Sequence, residues 1–309
     1  MTKPKRHHYL PQFYLQYFCK DGNFWIFDRK TKEFRSQTPK NTALKSNYYT
    51  FKNSKGNKVT EIEHLLSQIE GNAKCIIEKV INWENITPQE KENLSLFIAF
   101  MMNRVPDFEK SVNKVYEHTI KSTLKMMYSD PKRVQATLDE FERERGEKLG
   151  LSAEELVEFH KGDNIKVIID RVKSLELMID ISFKIFHFFK QMDWLFLHSP
   201  QEASFITTDN PVVLVPSEKF PKGPYGMGIL FPGVRKVFPI SQSTCLIMYD
   251  HGELLLHHKT NKQTVRNINL NVAQFTERFL IGRDELLIKN IVRKTKINQW
   301  DYKGRITIN

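Results

Sequence analysis

Apolar side chains recur at Ile62, Leu65, Leu66, Ile69, Ala73, Ile76, Ile77, Val80 and Ile81. That i, i+3, i+4 spacing forms one stripe, so residues 62–81 predict an amphipathic helix with a single buried face. Thr87-Pro88-Gln89-Glu90 predicts the start of the next: a capping threonine, proline in the first turn and a glutamate placed to return the cap bond. This helix carries Phe97, Phe100 and Met101 to Arg104, and Pro106 predicts a stop or kink. Val112, Val115, Ile120 and Leu124 sit on a further helix reaching Asp130-Pro131, which opens another, and Ser152-Ala153-Glu154-Glu155 repeats the capping box. Asp163 is read as the cap of a long helix ending at His198. Its later half (Phe183, Ile185, Phe186, Phe188, Phe189, Trp194, Leu195, Phe196) is apolar nearly all round, which predicts the central buried helix of the fold.

The pattern is different on either side. Pro11 suits the first position of a short helical turn and biases Leu10 toward extended backbone. Asp21-Gly22 marks a turn, Phe24-Trp25-Ile26-Phe27 reads as a strand, residues 28–32 turn the chain, and a second strand surrounds Phe34. Residues 47–51 read as a third short strand. After His198-Ser199-Pro200, β-rich runs at 205–208, 212–215, 234–238 and 244–249 are broken by Asp-Asn-Pro, Gly and Pro. Residues 216–233 form a Pro/Gly-rich loop of the kind that often acts as a lid or binding loop. Residues 262–281 and 284–293 read as helices. The expected architecture is α+β and a single domain over 1–309. In it the N-terminal hairpin and the C-terminal strands join in one mainly antiparallel sheet, with the helical block of 61–198 packed on it.

Composition narrows this picture. The aromatic share of 12%, with 22 Phe, argues for a packed interior rather than disorder. The most membrane-like stretch, 175–197, is interrupted by Glu176, Asp180, Lys184, His187, Lys190 and Asp193, so it reads as a buried helix. The N-terminus lacks the apolar core of a signal peptide. Cys19, Cys75 and Cys245 are far apart and form no C-x-x-C pair, so the expected setting is a reducing cytoplasm without structural zinc. The formal net charge of +11 is uneven: residues 1–60 hold 13 Lys and Arg against 3 Asp and Glu, and residues 283–309 hold 7 against 3. Such ends favour phosphate-bearing partners, although a solvated surface explains them equally well.

Candidate chemistry begins with His7 and His8. Neighbours on a strand point to opposite faces, so one can line a site while the other faces away. The competing reading is a histidine bonded to backbone, or a basic patch with Lys3, Lys5 and Arg6. Thr207-Thr208-Asp209-Asn210-Pro211 presents Asp209 either as a carboxylate at a strand end or as the side chain of an Asx-type turn. Glu70 and Arg104 lie on apolar helix faces, where a buried charge needs a partner. They can pair with each other or with Asp209, or Arg104 can grip a phosphate while Glu70 serves as acid/base or metal ligand. There is no P-loop, G-x-S-x-G, H-E-x-x-H or G-x-G-x-x-G, and Gly226-Met227-Gly228 has no helix start behind it. His8-Tyr9-Leu10-Pro11 has the look of the His-x-x-Pro start of some ββα nucleases, but the Asn and His of their following helix are not evident.

His7-His8-Tyr9-Leu10-Pro11-Gln12-Phe13-Tyr14-Leu15 with Phe18 resembles the opening motif of the bacterial proteins catalogued as domain of unknown function 4238. The resemblance continues through Trp25-Ile26-Phe27-Asp28-Arg29, Tyr48-Tyr49, Ile69-Glu70-Gly71, Phe97-Ile98-Ala99, Arg104-Val105-Pro106, Phe205-Ile206-Thr207-Thr208-Asp209-Asn210-Pro211, Phe238-Pro239-Ile240, Asn269 and Ala273. Thr208 stands where the family pattern has serine. The resemblance implies one shared fold over nearly the whole chain and nominates positions, and it implies no reaction.

The leading expectation is an enzyme that cleaves a phosphodiester of nucleic acid or a nucleotide, in the setting of a bacterial effector or defence nuclease. His7 or His8 would be general acid/base or metal ligand, Asp209 and Glu70 base or metal ligands, and Arg104 the phosphate clamp, with Mg²⁺ or Mn²⁺ as possible metal. Arg6, Tyr9, Gln12, Thr208, Asn210 and Asn269 would contact substrate. The alternatives are a non-catalytic module binding nucleic acid or protein, and a buried polar network that ties the termini to the helices.

Overall fold

The computed structural model describes residues 6–49, 51–52, 58–59, 61–161, 167–216, 228–252, 254–302 and 304. Lys3, Lys5, Asp163 and Gly226-Met227 lie outside the described residues, as does most of the Pro/Gly-rich loop. The chain opens with a strand, β1 (Arg6–His8), and a short helix, α1 (Gln12–Gln16), which Pro11 precedes as cap. The expected hairpin is present: β2 (Phe24–Asp28) pairs antiparallel with β3 (Glu33–Gln37), Phe27 opposite Phe34. The third strand is not the one read at 47–51. β4 (Leu44–Ser46) forms instead and pairs with β1. Asn47 then takes a left-handed φ of 52°, which breaks extended backbone and turns Tyr48 and Tyr49 into the core. β5 (Phe51–Lys52) pairs antiparallel with β6 (Lys58–Val59).

The helical block follows its capping signals. α2 (Glu61–Ile81) buries Ile62, Leu66, Ile69, Ala73, Ile76, Ile77 and Val80, the stripe read from spacing. α3 (Pro88–Asn103) starts at a complete capping box: Glu90 N–H donates to Thr87 Oγ1 and Thr87 N–H to Glu90 Oε2. Pro106 does more than stop this helix, since it begins α4 (Pro106–Met127). α5 (Pro131–Arg145) and α6 (Ala153–Lys161) pack on each other through a small apolar cluster of their own, Val134, Leu138, Ala153 and Val157. Ser152 and Glu155 make the second capping box.

The long helix expected to reach His198 is two elements. α7 (Arg171–Lys190), capped by Asp170, ends at Gln191, and β7 (Met192–His198) is a strand. The run is apolar throughout, so 3.6-residue and 2-residue periods both fit it. Local bonds decide: the Trp194 indole N–H caps the Phe189 carbonyl, and Asp193 Oδ1 accepts the Leu254 N–H.

β8 (Thr207–Thr208), β9 (Val213–Pro216), β10 (Val234–Pro239), β11 (Thr244–His251) and β12 (Leu255–Lys259) follow. The helix read over 262–281 is a helix, α8 (Lys262–Ala273), and a strand, β13 (Phe279–Gly282); α9 (Glu285–Thr295) comes last. The strands build two main sheets where one was expected. β12-β7-β11-β10-β9 is antiparallel except for the β12–β7 pair, and β3-β2-β13-β8 joins the N-terminal hairpin to C-terminal strands.

The architecture is α+β and layered. Trp194, Phe196, Leu246, Met248 and Phe238 on one sheet face pack in the same cluster as Phe97, Ile98, Phe100, Met178 and Phe189 of α3 and α7. Leu197, Val237 and Ile247 on the other face join Val265, Ile268 and Val272 of α8 and Ile288, Ile291 and Val292 of α9. Among the described residues no helix is long and apolar enough to cross a membrane.

The opening aromatics dock the N-terminus. Tyr14 and Phe18 are fully buried, and Tyr14 stacks on Phe238 with ring centroids 5.4 Å apart. Its hydroxyl donates to the Pro239 carbonyl (2.8 Å) and sits 2.7 Å from Thr207 Oγ1. Each such ring contributes roughly 1.5–3 kcal/mol by burial. α1 is thereby fixed to the strand that precedes Asp209.

Candidate functional site

The polar residues singled out from sequence fall into two clusters. The first surrounds Arg104, which caps the end of α3 and is 3% exposed. Its Nη1 donates to Glu70 Oε1 (2.6 Å), Nε to the Tyr49 hydroxyl (3.1 Å) and Nη2 to the His8 carbonyl (3.1 Å). The Tyr49 ring lies beneath the guanidinium, 5.5 Å from its carbon. Burial alone would lower the arginine pKa, but Tyr49 and Glu70 outweigh it and raise the value further. Arg104 thus pairs with Glu70 and not with Asp209, and three elements close on it.

The two histidines point apart, and their bonds fix opposite tautomers. His8 Nδ1 lies 3.1 Å from the Thr42 carbonyl, which only accepts, so the proton is on Nδ1. His7 Nδ1 accepts the Tyr49 N–H (2.9 Å), so its proton is on Nε2, 3.6 Å from Glu63 Oε1. The His7 ring also stacks on Tyr49 at 5.6 Å. Burial, with Arg6 and Arg104 nearby, depresses the His8 pKa below 6.5. Of the proposed substrate contacts here, Arg6 and Gln12 are exposed, and Tyr9 is buried with its backbone N–H on the Ala43 carbonyl.

The second cluster holds Asp209, at the end of β8. Its Oδ1 accepts the Glu277 N–H (3.0 Å) and its Oδ2 the Arg278 N–H (2.7 Å), while its own N–H donates to the Phe279 carbonyl. The carboxylate is therefore the clamp that turns the chain from α8 into β13. Burial and then the Glu277 carboxylate push its pKa up to about 8, against the pull of those N–H groups. Glu277 Oε1 pairs with Lys110, whereas its buried Oε2 has no hydrogen-bond partner among the described residues. Thr208 and Asn210 are buried and close their own turn through Thr208 Oγ1. Asn210 Nδ2 reaches the Phe275 carbonyl and the Tyr302 hydroxyl, and its Oδ1 has no hydrogen-bond partner among the described residues. Tyr302 in turn donates to Asp107 Oδ2 (3.1 Å). Asn269 is a staple: its amide brackets Ser204 and Ile206 as a strand would.

Glu277 opens onto a cleft of about 610 Å³. Arg29, Lys30, Lys32, Lys110, Lys114 and Arg278 line it against Asp107, Glu277 and Asp301, so the wall is net basic. Asp28, fully buried, aims Arg278 by a two-point bond (3.2 and 3.1 Å) and also holds Arg35. Burial would raise the Asp28 pKa, but Arg278 and Arg35 overcome it and hold the carboxyl low. Arg29 is fixed by the Thr276 carbonyl and lies 4.5 Å from the Trp300 ring. Tyr9 joins the two clusters: it packs edge-on against Tyr48, which meets Tyr49, and burial followed by Asp209 and Glu277 raises its hydroxyl pKa.

The structure thus brings His8, Glu70 and Arg104 together, and brings Asp209 and Asn210 together elsewhere. Glu277, Lys110, Arg278, Asp107 and Tyr302 were missed from sequence. The Glu277-Arg278 pair directly before apolar Phe279-Leu280-Ile281 was the available signal, masked by reading the segment as helix. Among the described residues no group of three or more His, Cys, Asp or Glu is arranged to hold a metal ion.

A family model described as a protein of unknown function (DUF4238) matches residues 6–285. No curated protein and no solved structure matches the chain.

Proposed function

The chain belongs to the DUF4238 family of proteins of unknown function, and for this member we propose phosphodiester cleavage at the basic cleft, with nucleic acid or a nucleotide as substrate. The observation that carries the reading is one conjunction: six cationic side chains line the cleft that Glu277 also lines, and one buried carboxylate oxygen of Glu277 has no hydrogen-bond partner among the described residues. Cations converging on a pocket favour a phosphate, and Arg278 and Arg29 are held in position before any ligand arrives.

In this reading the Glu277 carboxylate takes a proton from a water molecule as the water oxygen attacks phosphorus. The bond to the departing sugar oxygen breaks, and the same carboxyl returns the proton to that oxygen. Arg278, Arg29 and Lys110 balance the charge that builds on phosphate. Asp209 holds the backbone of Glu277 in place, a positioning role. The Arg104–Glu70–His8 cluster, whose guanidinium donates from all three nitrogens into the protein, acts as the anchor of the N-terminus.

The test is incubation of the protein with RNA, single-stranded DNA and duplex DNA, with and without Mg²⁺ or Mn²⁺. Glu277→Gln is expected to lose roughly 10²–10⁴-fold in rate while keeping its melting temperature. If nothing is cut but salt-sensitive binding survives, a non-catalytic binding module replaces this reading.

A further inference from the structure

Lys236 is the only fully buried lysine among the described residues, 1% exposed. It lies on β10 with Leu214 of β9 and Met248 of β11 beside it in register. A lysine seldom occupies such a position unless paired, and its pair here is loose. Asp250 Oδ1 stands 3.9 Å from the ammonium, beyond hydrogen-bond reach, while Asp250 Oδ2 accepts the Gly233 N–H. Lys236 and Asp250 line a cavity of about 390 Å³, otherwise walled by Phe188, Met192, Leu230 and Pro232. None of these residues belongs to the Glu277 cleft.

We propose that this cavity is a site for a small apolar aldehyde, held covalently as an imine on Lys236 Nζ with Asp250 as the proton carrier. The apolar walls suit a hydrocarbon or aromatic tail of limited size. A carboxylate ligand would face Asp250 and be repelled, whereas a neutral carbonyl is not. Burial lowers the basicity of the amine and so raises the share that is unprotonated and nucleophilic. The nitrogen lone pair forms a C–N bond to the carbonyl carbon as the C=O π pair moves to oxygen. Asp250 carries one proton from the nitrogen to that oxygen, giving the carbinolamine, and then carries the second amine proton to its hydroxyl as the nitrogen lone pair closes the C=N bond. That group leaves as water, and the balance is amine plus aldehyde giving imine plus water, with no oxidant or reductant. Asp250, about half exposed, can exchange protons with solvent between the two transfers.

The experiment is reductive trapping. The full chain is incubated near neutral pH with hexanal or benzaldehyde and sodium cyanoborohydride, and adducts are mapped by mass spectrometry. A single fast adduct on Lys236, at least tenfold faster than on exposed lysines such as Lys30, is expected. It should disappear in Lys236→Met and slow several-fold in Asp250→Asn. Adducts spread over surface lysines with Lys236 no faster overturn the proposal, as does a fast adduct that survives in Lys236→Met. The wild-type map decides the matter even if Lys236→Met fails to fold. It is also independent of whether the chain cleaves a phosphodiester.

Discussion

The Arg104 cluster and the Asp209 cluster both bury charge, and they answer it differently. Arg104 is met by Glu70, by the Tyr49 hydroxyl and by a backbone carbonyl, and lies against an aromatic ring. At Asp209 two carboxyl groups are crowded together, Glu277 Oε2 and Asn210 Oδ1 have no hydrogen-bond partner among the described residues, and Glu277 lines a basic cleft. Buried charge that is fully answered holds a fold together. Buried polar atoms left open next to a cavity cost stability and are kept where a ligand can answer them. In the function proposed above, the first cluster is scaffold and the second is site.

The hardest way to break that contrast is Arg104→Met. Removing one partner of a buried pair strands the others, so a loss of about 3–5 kcal/mol is expected, measured by denaturant unfolding at constant m. A loss under about 1 kcal/mol would be the figure for an exposed pair and would remove the scaffold assignment.

The next effect is a pH dependence of opposite sign in the two clusters. Asp209 is pushed up to about 8 from 3.8, so the native state holds a proton there that the unfolded chain releases. Its contribution therefore makes stability fall as pH rises between those values. Asp209→Asn should flatten that slope, at the cost of one backbone N–H bond, about 1–2 kcal/mol. His8 is depressed below 6.5, so the unfolded chain binds the proton first and stability is lost as pH falls through that range. His8→Asn should remove a smaller slope confined to acid pH, with a cost near 1 kcal/mol for the bond to Thr42. Equal slopes from Asp209→Asn and His8→Asn, in sign and window, would erase the distinction.

How much of this was legible follows from which signals are local. Caps are local, so Thr87, Ser152 and Pro131 placed helix starts, whereas Pro106, read as a stop or kink, also begins a helix. The α+β class, the buried N-terminus and the Glu70–Arg104 pair were also within reach, because charge on an apolar helix face demands a partner. The split at Gln191 was not, since a run apolar on every side carries no period to read. Nor was β13, because α8 ends without glycine or proline and it is pairing with Ile26 and Phe27 on one side and Thr207 and Thr208 on the other that makes Leu280 and Ile281 a strand. The cleft was the least legible part. Arg29, Lys110, Glu277 and Tyr302 come from four distant segments, and none is unusual where it stands.

The smallest effect on stability should come from the cleft rim, and it sharpens the comparison most directly. Lys30 and Lys32 are exposed side chains in the turn between β2 and β3, and both line the cleft. Changing both to alanine removes little packing, so stability should stay within about 0.5 kcal/mol. Binding of a labelled single-stranded oligonucleotide should weaken nonetheless, because each phosphate contact releases counterions whose loss is read in salt. The slope of log affinity against log salt should fall by about 1–2 for the pair. The same charge change at Lys173 and Lys184, on α7 and away from the cleft lining, should leave that slope alone. If both pairs lower it equally, the protein's whole positive field is what draws the ligand, and the open carboxylate at Glu277 is then a feature of the turn into β13 rather than the floor of a site.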